Sequence, residues 1–191
     1  MPPRPEQSAA AAGVSAGRLI THIDIQRHSR ASGLPSDILL RRWARAALHD
    51  LQLSAAITLR LVAASEGQRL NRDYRGADYA TNVLSFEYGF ADSETPARGR
   101  AAGAAGAAIA AGALAQPTLG GDIVLCVPVI AREAREQGKS LRAHYAHLVI
   151  HGVLHLAGID HQTPRSAARM EARERRLLAA LGFADPYLLA H

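Results

Sequence analysis

Three histidines within residues 151–161, which read HGVLHLAGIDH, are spaced as the ligands of a single metal ion. His151 and His155 are four residues apart, so a helix presents both from one face. Gly158 can take the left-handed conformation that turns the chain, and His161 then returns over the end of the helix. Three neutral imidazoles with a fourth position open form the donor set of a catalytic zinc ion, although nickel, cobalt or manganese also accept such donors.

The same segment matches the metzincin protease pattern H-E-x-x-H-x-x-G-x-x-H at its three histidines and its glycine. Gly152 stands where those proteases carry a glutamate that takes a proton from the metal-bound water. The sequence therefore predicts a zincin-like metal helix without the peptidase mechanism, which would need another carboxylate within hydrogen-bond reach of that water.

Two structural interpretations of these histidines compete with the catalytic one. The first is a hydrogen-bonded pair in the core, and the second is a structural zinc ion, although such ions prefer four protein ligands and cysteine. His144 lies about 10.5 Å from His151 along the helix, too far to share the ion. For His144 and His147, helix packing is favoured over a substrate contact. Asp160 is predicted either to accept a hydrogen bond from a ligand imidazole or to cap the turn before His161.

Apolar periodicity and capping residues predict the elements that position these side chains. Strands are predicted at residues 18–26, 57–63, 82–88 and 122–127. Helices are predicted at 36–50 capped by Ser36, 65–76 capped by Ser65, 128–138, 140–158 capped by Ser140, and 163–182 capped by Thr163. The order fits an α+β fold, a single domain in which a four-stranded mixed sheet is covered by about five helices.

Composition narrows the class of protein further. A length of 191 residues suits about one domain, and the net charge of +5 is compatible with a polyanionic partner. A single cysteine, Cys126, excludes an internal disulfide framework and a cysteine-rich zinc module. The 5% of aromatic residues argues against a base-stacking platform of the RRM kind. In the last helix, arginines interleave with Glu171 and Glu174, which is typical of a solvated, ion-paired face.

Two segments lack the pattern of a folded core. Residues 1–17 are expected to form a disordered tail, and residues from about 89 to 118 an Ala/Gly-rich flexible insertion within a single domain spanning 18–191. The tail has no apolar core typical of a signal peptide, and the chain has no run of about 18 apolar residues. We therefore expect a cytoplasmic protein with no membrane partner.

Five motifs, in this order, resemble the YbeY family of bacterial rRNA maturation endoribonucleases. They are LNRDYRG (70–76), TNVLSFE (81–87), GGDIVLC (120–126), EQGKSLRAHYAHLVIHGVLHLAGIDH (136–161) and LGFADPY (181–187). The resemblance covers roughly residues 19–187 apart from the insertion. The chain departs from it at Ala77, Tyr79 and Ala80, where relatives often carry Lys, Lys and Pro.

The resemblance implies a zinc-dependent endoribonuclease specific for single strands, acting in maturation of the 3′ end of small-subunit rRNA and in ribosome quality control. Its metal ligands fall on His151, His155 and His161, its functional arginine on Arg75, and a supporting Gly-Asp pair ends at Asp122. The implied partners are rRNA in the small ribosomal subunit, a ribosomal protein and an Era-type GTPase.

The chemistry of the residues is compatible with RNA cleavage. RNA carries its own 2′-hydroxyl nucleophile, so the absence of a base at Gly152 does not oppose phosphodiester cleavage, and ribose and water both stay open as nucleophiles. A guanidinium such as that of Arg75 can bind two phosphate oxygens as negative charge develops. The alternative function is a zinc-containing ribosome-assembly factor that binds RNA without cleaving it.

Overall fold

The computed structural model describes residues 19–29, 31–91 and 118–188, and this part of the chain folds into four strands and five helices. The elements are β1 (Thr21–Arg27), α1 (Asp37–Asp50), β2 (Ser54–Val62), α2 (Ala64–Arg75), β3 (Val83–Ala91), β4 (Thr118–Cys126), α3 (Val127–Glu136), α4 (Leu141–Leu156) and α5 (Pro164–Ala180). The predicted α+β fold with one mixed sheet is confirmed. No helix in these ranges is long and apolar enough to cross a bilayer.

The strands form one sheet in the order β1-β2-β4-β3. β1 and β4 run parallel to β2, whereas β3 runs antiparallel to β4 and forms an edge. The β3–β4 ladder extends from the pair Val83 and Leu125 to the pair Ala91 and Thr118. The two strands that flank the insertion therefore lie side by side.

The two strands that flank the predicted insertion are both longer than predicted. Residues 89–91 belong to β3, and β4 begins at Thr118 rather than at residue 122. The start of β4 is rich in glycine, which has low strand propensity, but pairing with strands on both sides overrides that preference. Residues 92–117 and the predicted tail lie outside the described residues, so the proposed flexibility and disorder there stay predictions.

Side chains alternate between the two faces of the sheet. One face packs against α1 and α4, and α5 packs on α4 in the same core, which includes Trp43, Tyr145 and Met170. The other face packs against α2 in a smaller cluster of apolar side chains, comprising Val62, Leu84, Val124, Cys126 and Val129 with Leu70, Ala80 and Phe86. The histidine-bearing helix α4 is thus fixed by the larger core.

Local signals locate most helix ends correctly. The hydroxyl groups of Ser36 and Ser140 accept hydrogen bonds from backbone N–H groups in the first turns of α1 and α4, and Thr163 forms a capping box with Ser166. The predicted cap Ser65 is wrong, because α2 begins one residue earlier and its N-cap is Ala63, which makes no side-chain hydrogen bond. The extended backbone of Ala63 starts the helix without a polar cap.

Candidate metal centre

The three predicted ligands meet at the end of α4. His151 and His155 project from the last turns of the helix, and Gly158, with φ of +73°, reverses the chain so that His161 returns. The ring centroids are 4.6 Å apart for His151 and His155, 4.9 Å for His155 and His161, and 5.7 Å for His151 and His161. One ring nitrogen of each lies within 4.8 Å of the others, so the trio could hold a metal ion.

The environment of His155 favours a neutral imidazole. Burial, helped by the neighbouring His151 and His161 and by Arg75, lowers the pKa of His155 to about 4. An imidazole must be neutral to bind a metal ion, so His155 is in its ligand form at neutral pH.

Arg75 is the last residue of α2, where Gly76 ends the helix with φ of +69°. Its charge is the last in order of those that lower the pKa of His155, so Arg75 lies within electrostatic range of that ring. Arg75 is exposed and enters no ion pair with any described residue. Its guanidinium is therefore available to an anion.

Glu174 of α5 is a functional residue that the sequence interpretation missed. Its side chain is fully buried, and its Oε1 lies 2.8 Å from Nδ1 of His151. The hydroxyl of Tyr187 donates to Oε2, and Nε2 of His147 lies 3.5 Å from the same oxygen. Burial alone would raise the pKa of Glu174, but hydrogen bonds from His147, His151 and Tyr187 hold it at about 2.

The prediction that Glu174 lies on a solvated face is therefore wrong. Met170 lies four residues before Glu174, and Leu177 and Leu178 lie three and four residues after it. All are buried, so Glu174 belongs to the apolar stripe of α5. That spacing was the available signal, and the surrounding arginines obscured it.

The residues present fit a metal ion with an open coordination position. The carboxylate of Glu174 accepts the Nδ1 proton of His151, which leaves Nε2 as the ligand atom, an arrangement common behind metal-bound histidines. Within the described ranges, no fourth histidine, cysteine or carboxylate joins His151, His155 and His161. Three ligands with a carboxylate behind one of them match a catalytic site better than a closed structural one.

Gly152 is required by packing. A Cβ atom built there would lie 2.7 Å from Cγ2 of Ile123 in β4, closer than real contacts allow. Gly121 is equally crowded, since its Cβ would lie 2.6 Å from the carbonyl oxygen of Phe86 and 2.7 Å from Cδ2 of Leu156. These two glycines let α4 lie close against the sheet, and the glutamate of the peptidase pattern has no room.

The two predicted supporting aspartates lie in different places. Oδ1 of Asp160 accepts a hydrogen bond from the backbone N–H of His161, which is the turn-capping alternative. Asp122 lies between Gly121 and Ile123, both of which approach α4, so strand alternation directs Asp122 to the opposite face. There it accepts a hydrogen bond from Tyr88. The structure does not bring Asp122 together with the histidines.

The other two histidines of α4 have separate roles. His144 is only 4% exposed, and its Nε2 lies 3.0 Å from Oε2 of Glu133, so the packing interpretation agrees with its surroundings. His147 lies 5.4 Å from Tyr187 between ring centroids and joins the network around Glu174. Both are parts of the support for α4.

Fold and site together define an α+β protein with a candidate three-histidine metal centre on a helix that crosses a mixed sheet. Comparison with known proteins gives the particular family. The chain belongs to the endoribonuclease YbeY family, whose model, described as "Endoribonuclease YbeY", matches residues 26–182.

Relatives carrying the same name cover most of the chain. The protein from Aromatoleum aromaticum is 51% identical over 153 residues, 80% of this chain and 81% of the relative. The protein from Nitrosospira multiformis is 52% identical over 157 residues, 81% of this chain and 74% of the relative. A solution structure of TM1509 from Thermotoga maritima is similar at 21% identity and a TM-score of 0.46, covering 86% of this chain and 99% of that one.

Proposed function

We propose that this protein is a zinc-dependent endoribonuclease that cleaves single-stranded RNA. The observation that carries the proposal is the convergence of His151, His155 and His161, together with a guanidinium, that of Arg75, which enters no ion pair among the described residues. The names of relatives about half identical to this chain support the activity. The crowding at Gly152 argues against the rival peptidase function.

His151, His155 and His161 would hold the ion, and the all-imidazole donor set favours zinc. A divalent ion there supplies a Lewis acid for phosphate oxygens and lowers the pKa of a water molecule. Glu174 fixes the orientation and the tautomer of His151 through its hydrogen bond to Nδ1. These residues keep the donors in place before the substrate arrives.

Arg75 binds the phosphate of the bond to be cleaved. Its guanidinium can donate two parallel hydrogen bonds to the non-bridging oxygens, and negative charge on these oxygens grows in the transition state. No ion pair among the described residues competes for it, so it does not have to leave a partner to bind the substrate.

The biological role that we propose is maturation of the 3′ end of small-subunit rRNA, together with ribosome quality control in the cytoplasm. It rests on the resemblance of the five motifs to the YbeY family. The net charge of +5 suits a protein that meets rRNA in the small subunit. A ribosomal protein and an Era-type GTPase are the partners that we propose on the same ground.

The test is turnover by highly purified protein on single-stranded and duplex RNA, with metal content measured on the same samples. We expect cleavage of the single strand only, with about one zinc ion per chain. Arg75→Ala should lower the cleavage rate by about 10²–10³-fold and leave the metal content unchanged, because a phosphate contact is lost. Analysis of the product ends identifies the nucleophile, since a 2′,3′-cyclic phosphate implicates the ribose.

His155→Ala is the matched control, because it should remove both metal and cleavage while the circular dichroism stays that of a folded protein. Residual cleavage in His155→Ala would reveal a contaminating nuclease. Loss of metal in Arg75→Ala would overturn the role of Arg75. Tight RNA binding by the wild-type protein without turnover would instead establish the non-catalytic assembly factor.

A further inference from the structure

Two exposed aromatic rings lie on the α2 face of the sheet, and one of them directly precedes Arg75 in the chain. Tyr74 of α2 is 58% exposed and Tyr88 of the edge strand β3 is 52% exposed. The ring of Tyr74 packs edge-on against Phe86, with centroids 5.0 Å apart, and Phe86 precedes Tyr88 by two residues on the same strand. Two adjacent elements thus each present a half-exposed aromatic ring on the same face.

Both rings are held in place while most of their surface stays open. The hydroxyl of Tyr88 is hydrogen-bonded to the buried carboxylate of Asp122, and burial together with this bond raises its pKa. Tyr74 is held by Phe86, which belongs to the core cluster beneath α2. Ordered rings lose little conformational freedom when a ligand stacks on them.

A cation next to one of these rings completes the pattern. Arg75 follows Tyr74 directly at the end of α2 and is exposed. Arg60 does not contribute, because its guanidinium is paired with Glu66 at 2.7 Å. Tyr74 is thus followed by a cation that enters no ion pair among the described residues.

We propose that Tyr74 and Tyr88 form a stacking surface for the bases of single-stranded RNA, whose backbone passes Arg75 on its way to the three histidines. Proteins that bind single strands combine aromatic rings, on which bases stack, with cations that follow the phosphates. Paired bases in a duplex are not free to stack on a protein ring, so this surface selects single strands. The inference rests on the proposed function, because RNA is the substrate assumed.

The inference also revises the expectation drawn from composition. A low aromatic fraction argues against a platform on an open sheet face, and the described sheet is indeed covered by α2 on this side. Tyr74 and Tyr88 lie where α2 meets the edge strand β3, so bases can stack on them although the sheet face itself is covered. Asp122, which does not reach the histidines, acquires a role here as a positioning residue for Tyr88.

The test measures equilibrium binding of a labelled single-stranded 2′-O-methyl octanucleotide, which the ribose cannot cleave, and gel analysis of the label checks that water has not cleaved it. Tyr74→Leu keeps apolar packing on Phe86 but removes the aromatic face, so the variant should fold as the wild type does. We expect about tenfold weaker binding for Tyr74→Leu and for Tyr88→Leu, the effect of losing one stacked base, and nearly full binding for Tyr74→Phe. Ile38→Ala, which truncates an exposed side chain of α1 on the opposite face, should bind as the wild type does.

A second oligomer, abasic at successive positions, identifies the mechanism. Removing the stacked base should weaken binding to the wild-type protein about as much as Tyr74→Leu does, and Tyr74→Leu should have no further effect on that oligomer. Equal losses on intact and abasic oligomers, or unchanged binding in both leucine variants, would overturn the stacking surface. The second result would point to a protein partner for these rings.

The binding assay needs no turnover, so it separates this inference from the proposed function. Normal cleavage with unchanged binding in the leucine variants refutes the stacking surface alone. Binding that depends on Tyr74, without any cleavage by the wild-type protein, supports the surface and refutes the nuclease.

Discussion

The two ends of α4 carry the same residue type in different roles. Near the start of the helix, His144 is buried against Glu133, which also accepts a hydrogen bond from Asn82 at 2.9 Å. At the far end, His155 has two other imidazoles around it and no hydrogen-bond partner in the described part of the chain. Burial is the largest cause of the lowered pKa at both residues.

The difference teaches that burial and a shifted pKa do not by themselves identify a metal ligand. His144 satisfies its Nε2 within the protein, whereas His155 keeps its ring nitrogens available beside two others. His151 combines both features, because Glu174 holds one ring nitrogen and the other is available to the site. A metal ligand is distinguished from a structural histidine by the convergence of its ring nitrogen with other available donor atoms, as at His155 and not at His144.

The largest expected effect comes from removing a donor at the far end. His161→Ala should lower the affinity for zinc by roughly a thousandfold, or about 4 kcal/mol, since one of three protein ligands is lost. The stability of the metal-free protein should not change, because His161 is exposed beyond the helix. Competition titration with a chelating dye measures the first quantity and urea denaturation the second. His144→Gln should leave zinc affinity intact, and a comparable loss in both variants would break the comparison.

A smaller effect is expected from the support of His151. Glu174→Gln should weaken zinc binding by about 10–100-fold, because the neutral amide is a poorer acceptor for the Nδ1 proton. The matched control is Glu171→Gln on the same helix, whose partner is Arg175 at 3.0 Å and not a histidine. Chelator titration of both variants is the measurement. Equal affinity in the two variants would show that Glu174 only fills space.

The smallest effect concerns the structural end of the helix. His144→Gln should lower the free energy of unfolding by about 1 kcal/mol at neutral pH, the value of one side-chain hydrogen bond. Burial lowers the pKa of His144 below its ordinary value of 6.5, against the opposite effect of Glu133 and with help from His147 and Lys139.

The unfolded chain therefore takes up the proton first, and the stability of the wild-type protein should fall as the pH drops below 6.5. In His144→Gln this part of the acid sensitivity should be missing. Urea denaturation of metal-free protein at neutral and mildly acidic pH measures the difference. The same loss of stability on acidification in His144→Gln and in the wild-type protein would contradict this assignment.

Local signals in the sequence predict much of this molecule. The i, i+4 spacing of His151 and His155 and the turn at Gly158 specify the histidine cluster, because all three act within a few residues of chain. Resemblance to a family, rather than spacing, pointed to Arg75. The histidine cluster can therefore be predicted without knowing which helices and strands contact one another.

The features that sequence reasoning missed depend on contacts between distant elements. Glu174 reaches His151 only because α5 packs on α4, and Tyr74 gains Phe86 only because α2 lies over β3. The start of β4 is a strand because β2 and β3 pair with it, not because of its own residues. A single sequence gives weak information on contacts between distant elements, since strand propensity is overridden by pairing with neighbouring strands.

The glycine beneath the histidines also limits how this scaffold can change its chemistry. Because the space beside Gly152 is filled by Ile123, a peptidase-like glutamate there requires a second substitution that shortens the isoleucine. Ile→Ala in a core costs about 2–5 kcal/mol, which is a large share of the stability of most domains. A glutamate at position 152 alone would clash with Ile123, and a shortened side chain at position 123 alone would leave a cavity. The two positions are therefore epistatic, and a peptidase cannot evolve from this protein through single substitutions that each preserve stability.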